Sequence, residues 1–423
     1  MSVKIDVSNS WRIEVGVGPA EHGVYVDGYL YLAPTFKSEF WKVDPETGTI
    51  LYKYSMPGYV WGAPLVDRSG LYGASMGGDV VKFGSNYDIV WKVNTGLGDF
   101  IAEAVIEAWG RCLAVQYPRG IAIIDKGSGE ILWIDEWVPE VPRGQEPTFD
   151  YETGILWVCR PTLESNLVAY DIDGRKIHVI DLPSPPTTYA CPQIWAGYIM
   201  ITCRRHIVVL DRGSGKILWV REFPKVIYGG REQDPLDGGP RTLTHDGRAV
   251  IWTTDGVFIC FDIVDGEEIW QIDFKQLGYT SSECSDPWGY AGGVAIDGVF
   301  IILGRNNLPE GSGPFSIDRN RLFIIDYRSG EILYASEPVY QMACCCKPIV
   351  AKGRVIIGSW YKDSKGRTYQ NFYNCWRIKL SDNRRERIVL DRDYTWLGGS
   401  HHGGYSKGCL LGIERKSRNS INS

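Results

Sequence analysis

Short apolar runs separated by Gly, Asp, Pro and Ser recur along the whole chain, and one phrase recurs with them. It consists of two or three apolar residues, Asp, two variable residues, Thr or Ser, Gly, one variable residue, Ile-Leu, and then Trp or Tyr. Clear copies run from Asp44 to Tyr52, Asp125 to Trp133, Asp211 to Trp219 and Asp326 to Tyr334, with a looser one from Asp262 to Trp270. Asp125 follows Asp44 by 81 residues and Asp211 follows Asp125 by 86, about twice a 40-residue unit. Worn copies fill both gaps, from Phe83 to Trp91 and from Tyr170 to His178. A last degenerate copy runs from Trp376 to Val389, which makes eight units.

Each phrase predicts a hairpin. The apolar run before Asp is a strand, and the Asp side chain caps the turn by accepting from amides two residues on. Glycine supplies the positive φ of the turn, and Ile-Leu-Trp starts the returning strand. Two further strands with their own turn precede each phrase, as in Ala63–Ser75 and Lys347–Ser359. Four short antiparallel strands every 40 to 60 residues or so is the repeat of a β-propeller blade. The prediction is an all-β propeller of four-stranded antiparallel blades, eight in number, with seven or nine left open by a partial unit at the ends. The aromatic closing each phrase is expected to pack between neighbouring blades.

Composition agrees with short strands and tight turns: 423 residues include 49 Gly, 16 Trp and 24 Tyr. Hydrophobic residues make up 44% and charged residues 23%, enough to bury a large core. A formal charge of −6 argues against a nucleic-acid partner, which a clustered basic surplus normally marks. No stretch approaches the ~20 consecutive apolar residues of a spanning helix. Met1–Trp11 lacks the segments of a secretory signal, so a cytoplasmic location is expected. Eleven cysteines sit mostly alone in apolar runs, where free Cys behaves as a small hydrophobe. No CxxC pair and no CxxCH occurs.

The phrase Asp-x-x-Ser/Thr-Gly-x-Ile-Leu-Trp resembles the tryptophan-docking motif of the quinoprotein-alcohol-dehydrogenase-like superfamily, the PQQ-like repeat propellers. The resemblance spans nearly the whole chain, from about Glu21 to Asp391. It implies the fold strongly and the function weakly. That superfamily holds PQQ-dependent alcohol dehydrogenases and also scaffold proteins of BamB type, which bind partners and no cofactor.

The ends suggest a latch. Trp11–Val15 reads as the outer strand of a unit and Gly408–Glu414 as the strand before it, so the terminal strands are expected to pair and hide a sheet edge. The propeller domain is placed at residues 1–416, with 417–423 a loose tail.

The innermost strand of each blade begins near the central channel, where ligands and metals usually sit. Those starts carry Glu21 and His22, Trp61, Glu103, Glu146, Cys191, Asp237, Trp288, and Cys344 to Cys346. Polar side chains lining a water-filled channel explain them without a ligand. The run Cys344-Cys345-Cys346 is the most unusual local feature. The vicinal Cys-Cys pair that contacts the quinone in PQQ-dependent alcohol dehydrogenases is similar to it in type and in position within a blade. The resemblance therefore implies, as the alternative reading, a PQQ and calcium site. That site would use Trp61 or Trp288 for stacking, Glu103, Glu146 and Asp237 at the acidic mouth, and Cys344 and Cys345 against the cofactor. The family's pair lies in an early blade, this one in the last, and the family's Glu, Asn and Asp calcium ligands find no matching motif. His22 and His402 are further metal candidates, with an ordinary glycine-rich loop as the plain reading of His401-His402.

No GxxxxGK[ST] loop or HExxH helix is present. Three long segments between strands, 228–240, 276–288 and 305–319, combine Trp, Tyr, Arg and Asn. Long loops on a rigid scaffold are where binding usually resides. The leading expectation is a non-catalytic binding propeller, needing no cofactor, that holds a protein partner or small polar ligand at its channel mouth and long loops.

Overall fold

The computed structural model describes residues 4–16, 20–98, 105–139, 146–162, 167–187, 191–228, 231–236, 241–244, 246–274, 276–278, 293–296, 299–303, 322–337, 349–351, 354–358, 371–382 and 385–387. Among them the chain is all β. Seven antiparallel sheets have four strands, one has five, and a two-stranded ribbon stands apart. No helix among the described residues is long and apolar enough to cross a membrane.

The first seven sheets follow chain order: 20–55, 65–94, 105–136, 148–180, 193–222, 241–273 and 293–335. In each, the four strands pair with their sequence neighbours. The first strands of many successive sheets touch one another, which puts them innermost. The eighth sheet combines Ile349–Ala351, Arg354–Gly358 and Asn371–Asp382 with the N-terminal strand Lys4–Gly16 as outer strand. The strand beside Trp11–Val15 is therefore Asn371–Asp382, a correction to the expected pairing with Gly408–Glu414, which lies outside the described residues. The alternation in Asn371–Asp382 accounts for it: Tyr373 and Cys375 are buried in one core cluster with Trp11, Ile13 and Val15. After Asp382 the chain folds back through Arg385–Arg387, the outer hairpin expected of the degenerate last copy.

The repeated phrase forms the same turn each time. Asp44 Oδ1 accepts from the amides of Glu46 at 2.7 Å and Thr47 at 3.3 Å, and the Gly48 amide donates to the Asp44 carbonyl at 2.9 Å. Asp125 and Asp211 repeat the pattern with Ser128 and Ser214, whose hydroxyls donate at 2.9 and 2.7 Å. A register shift lies between the two residues just before the Asp or its equivalent in each of the first seven sheets. The extra residue bends the outer strand toward the next sheet.

That bend delivers the aromatic. Trp91 donates from Nε1 to the Lys126 carbonyl at 3.3 Å, Trp133 to Ile172 at 2.9 Å, Trp219 to Ile263 at 3.0 Å and Trp270 to Tyr327 at 2.9 Å. Each acceptor sits in the docking turn of the following sheet. Trp11 does the same from the eighth sheet to the first, reaching the Pro45 carbonyl at 2.9 Å. The glycine of each turn is required twice over. Gly129 has φ +80°, and a Cβ there would meet the Trp91 ring at 2.7 Å. Where the motif is worn the geometry persists: His178 lies over Gly215 as Trp does elsewhere, and Tyr52 stacks on Tyr87 with centroids 4.0 Å apart. The expectation that the closing aromatics pack between blades is met.

Candidate functional site: the inner girdle and its loops

Polar side chains near the innermost strands tie sheet to sheet. The Gln116 amide donates to the Cys159 carbonyl at 2.7 Å, joining the third and fourth sheets. The Thr148 hydroxyl donates to Pro192 at 2.6 Å, from the fourth sheet toward the fifth. Gln193 Oε1 accepts from the Leu243 amide at 2.7 Å, linking the fifth and sixth, and Tyr373 donates to the His22 carbonyl at 3.1 Å between eighth and first. All four side chains are buried. Thr148→Val should lower stability by about 1 kcal/mol, because the Pro192 carbonyl loses its donor while shape is kept; chemical denaturation reads this directly.

Charge reinforces two of the seams. Arg212, directly after the docking Asp of the fifth sheet, holds both oxygens of Asp150 and reaches Glu152 at 2.6 Å and the Ala196 carbonyl at 2.8 Å. Burial would raise the Asp150 carboxyl, but Arg212, the Thr153 hydroxyl and the Glu152 amide outweigh it and hold it below the usual carboxylate range. Lys126 occupies the same place in the third sheet, bridging Asp67 of the second and Glu107 of its own. Burial opposes the Lys126 charge, yet the two carboxylates raise its pKa overall, and Asp67 is lowered in return. In both cases the acid ends an innermost strand and the base follows a docking Asp. That spacing is the signal a sequence reader could have used.

Of the residues expected at the channel mouth, the side chains described are those of His22, Trp61, Glu146 and Cys191, and all four are buried. His22 lies within the first strand of the first sheet, opposite Ala33. Trp61 packs edge-on against Phe36, with centroids 5.4 Å apart. Glu146 lies two residues before the strand Thr148–Asp150. Glu103, Asp237, Trp288, Cys344, Cys345 and His402 lie outside the described residues. Among the described residues no group of three or more His, Cys, Asp or Glu side chains is arranged to hold a metal ion. The described cysteines, 112, 159, 191, 203, 260 and 375, are all buried and outside any disulfide. Burial pushes the Cys260 and Cys375 thiols to about 12, so they serve as core rather than as nucleophiles.

Of the three long segments, 228–240 is partly described, 276–288 only to Gly278, and 305–319 lies outside the described residues. The first forms a ribbon of Val226–Tyr228 against Arg231–Gln233, between the fifth and sixth sheets in sequence. Its base is fixed: Leu236 is fully buried with its amide on the Arg204 carbonyl at 3.1 Å, and Thr254 donates to the carbonyls of Asp234 and Pro235. Its crest is open, with Ile227 71% exposed.

Comparison with solved structures places this arrangement. The BamB of Moraxella catarrhalis superimposes with a TM-score of 0.59 over 88% of this chain and 100% of its own, at 13% identity. The quinohemoprotein alcohol dehydrogenase of Comamonas testosteroni gives 0.62 over 88% and 76%, at 14% identity. A europium-containing methanol dehydrogenase gives 0.62 over 87% and 93%, at 10% identity. A family model described as outer membrane protein assembly factor BamB matches residues 204–301.

The chain has the β-propeller fold of these structures.

No curated protein sequence matches it. Within the propeller fold, the described inner strands carry the seam of hydrogen bonds and ion pairs given above. Trp61 packs against protein, and the described acids form no cation cradle.

Proposed function

We propose that this propeller is a binding protein that holds a protein partner on its projecting loops. The observation that carries the reading is the ribbon 226–233, rigidly anchored at Leu236 and Thr254 and presenting Ile227 to solvent. A fixed base with an apolar crest is the arrangement of a recognition loop, since little ordering entropy opposes binding. Polar residues beside the crest, including the Lys225–Glu232 pair at 2.9 Å, supply a rim. The likeness to BamB supports the reading at the level of fold. A small polar ligand at the channel mouth is the narrower version of the same proposal. The oxidoreductase alternative rests on Trp61 or Trp288, Glu103, Glu146, Asp237, Cys344 and Cys345, and would need them to gather a quinone and a cation.

Ile227→Asp should leave thermal unfolding unchanged, because the side chain is exposed in the free protein. In affinity capture from the native host, the species retained by the wild type should be lost or fall about tenfold with this variant, as truncating an apolar anchor does. Equal retention by both proteins would reject the ribbon as the binding element. Removing Asn306–Phe315 is the companion test, expected to preserve folding and remove the partner.

A further inference from the structure

Histidine is scarce in this chain, with six in 423 residues, and one of them meets a serine hydroxyl. Ser184 Oγ lies 2.9 Å from His206 Nδ1, within the reach at which an imidazole takes a hydroxyl proton. The two belong to different elements. Ser184 stands in the connector between the fourth and fifth sheets, and His206 heads the strand His206–Asp211, third of the fifth sheet. Both residues are partly exposed, which leaves the pair within reach of a small molecule.

The frame around the pair is stiff. Pro183, Pro185 and Pro186 flank the serine and fix φ at three positions. The Arg204 amide donates to the Pro185 carbonyl at 3.1 Å, and Pro186 pairs with Cys203 in an antiparallel bridge. The Thr187 amide donates to the Thr202 carbonyl at 3.1 Å, and the Cys203 amide to the His206 carbonyl at 2.8 Å. The connector is thus laced to the same turn that presents the histidine. Holding a nucleophile against its base requires preorganisation of this kind.

The charges around His206 suit a base. Burial holds its pKa below the ordinary imidazole value, while Glu222 works against that shift and Arg205 adds to it. The ring is therefore neutral near pH 7 and able to accept a proton. Glu222 is the cross-strand partner of His206, and its charge steadies the imidazolium once the proton has moved. Arg205 is bonded to Glu222 and sets a cation beside the pair. Its Nε is buried without a hydrogen-bond partner among the described residues.

We infer that Ser184 is a nucleophile activated by His206, and that the pair transfers acyl groups from carboxylic esters to water. Ser184 Oγ attacks the ester carbonyl while its proton passes to His206 Nδ1. The bond from the carbonyl carbon to the leaving alcohol oxygen breaks, and His206 returns the proton to that oxygen. Water then attacks the acyl-serine and gives its proton to His206. The carboxylic acid leaves as Ser184 regains its hydrogen, so ester and water are the only reactants consumed. Glu222 and Arg205 are positioning residues. This chemistry is independent of the ribbon's proposed partner.

A fluorophosphonate probe tests it, because attack by Ser184 Oγ expels fluoride and leaves a stable phosphonyl-serine. The expected product carries a single phosphonyl group, located at Ser184 by peptide mass spectrometry. Ser184→Ala should abolish labelling, and His206→Gln should slow it by about a hundredfold or more, the usual contribution of a general base. Ser69→Ala is the control, since that hydroxyl bonds Asp67 and Tyr72 instead, and it should label like the wild type. Unchanged thermal unfolding verifies that the variants fold. In the wild type the labelling rate should rise with pH as the neutral imidazole accumulates, with a midpoint below the ordinary histidine value of about 6.5. A chain that takes up no probe, or takes it up elsewhere than at Ser184, would overturn the proposal. So would labelling of Ser184 that is indifferent to His206→Gln or to pH.

Discussion

Replacing Arg212 by Met is expected to cost about 3–5 kcal/mol of stability, because it strands a buried carboxylate. Asp150 is 2% exposed and takes both its ion-pair bonds from this one guanidinium. Met keeps much of the volume, so the loss reports charge and hydrogen bonding rather than a cavity. The pH dependence follows from the direction of the Asp150 shift. A carboxyl whose folded pKa is lowered contributes stability that is present above its unfolded value and is lost as pH falls through the folded one. The gap between wild type and variant should therefore be widest near neutral pH and narrow on acidification below the ordinary carboxylate range. Urea titrations at several pH values read both effects. A gap that widened in acid would contradict the pairing.

Gly358→Ala carries the second large effect. Gly358 ends the second strand of the eighth sheet, and a Cβ there would lie 1.6 Å from the Ala20 carbonyl oxygen and 2.5 Å from its carbon. Both neighbours are backbone at the start of the first sheet, so no side chain can swing away. The first and last sheets would have to separate, disturbing the Tyr373 bond to His22 and the docking of Trp11 on Pro45. A loss of about 3 kcal/mol is expected, at the upper end of overpacking costs. Gly197, with nothing within 4 Å of its ideal Cβ, is the matched control, and Ala there should change stability by less than about 1 kcal/mol. Equal behaviour of the two variants would show that the sheets do not meet as described.

The repeated phrase made the fold legible because it packs three local requirements into nine residues. Asp accepts the turn amides, Gly takes a φ that side chains resist, and Trp reaches the next turn. Where letters changed, as at His178 and Tyr52, spacing alone located the unit, and those residues still dock. The terminal pairing was misjudged for a physical reason. Gly408–Glu414 and Asn371–Asp382 both read as strands, and only burial of Tyr373 and Cys375 beside Trp11 distinguishes them.

The site was far less legible. His22, Trp61 and Glu146 were placed by their distance after a docking phrase, which locates the inner end of a blade without saying whether a side chain meets water or protein. All three are buried. The seam residues Gln116, Thr148 and Gln193 gave no signal, since a polar residue in a strand looks alike whether it faces a channel or bonds the next sheet. Asp150 and Arg212 stand 62 residues apart, and only the register of two sheets brings them together.

The measurement that most directly tests a binding role against quinone chemistry is the absorbance spectrum and metal content of the purified protein, before and after adding PQQ with calcium. A binding propeller predicts a colourless protein with no stoichiometric quinone band or bound calcium after excess reagent is removed. A stoichiometric quinone spectrum with retained calcium would contradict it, and would make Cys344 and Cys345 the next residues to replace.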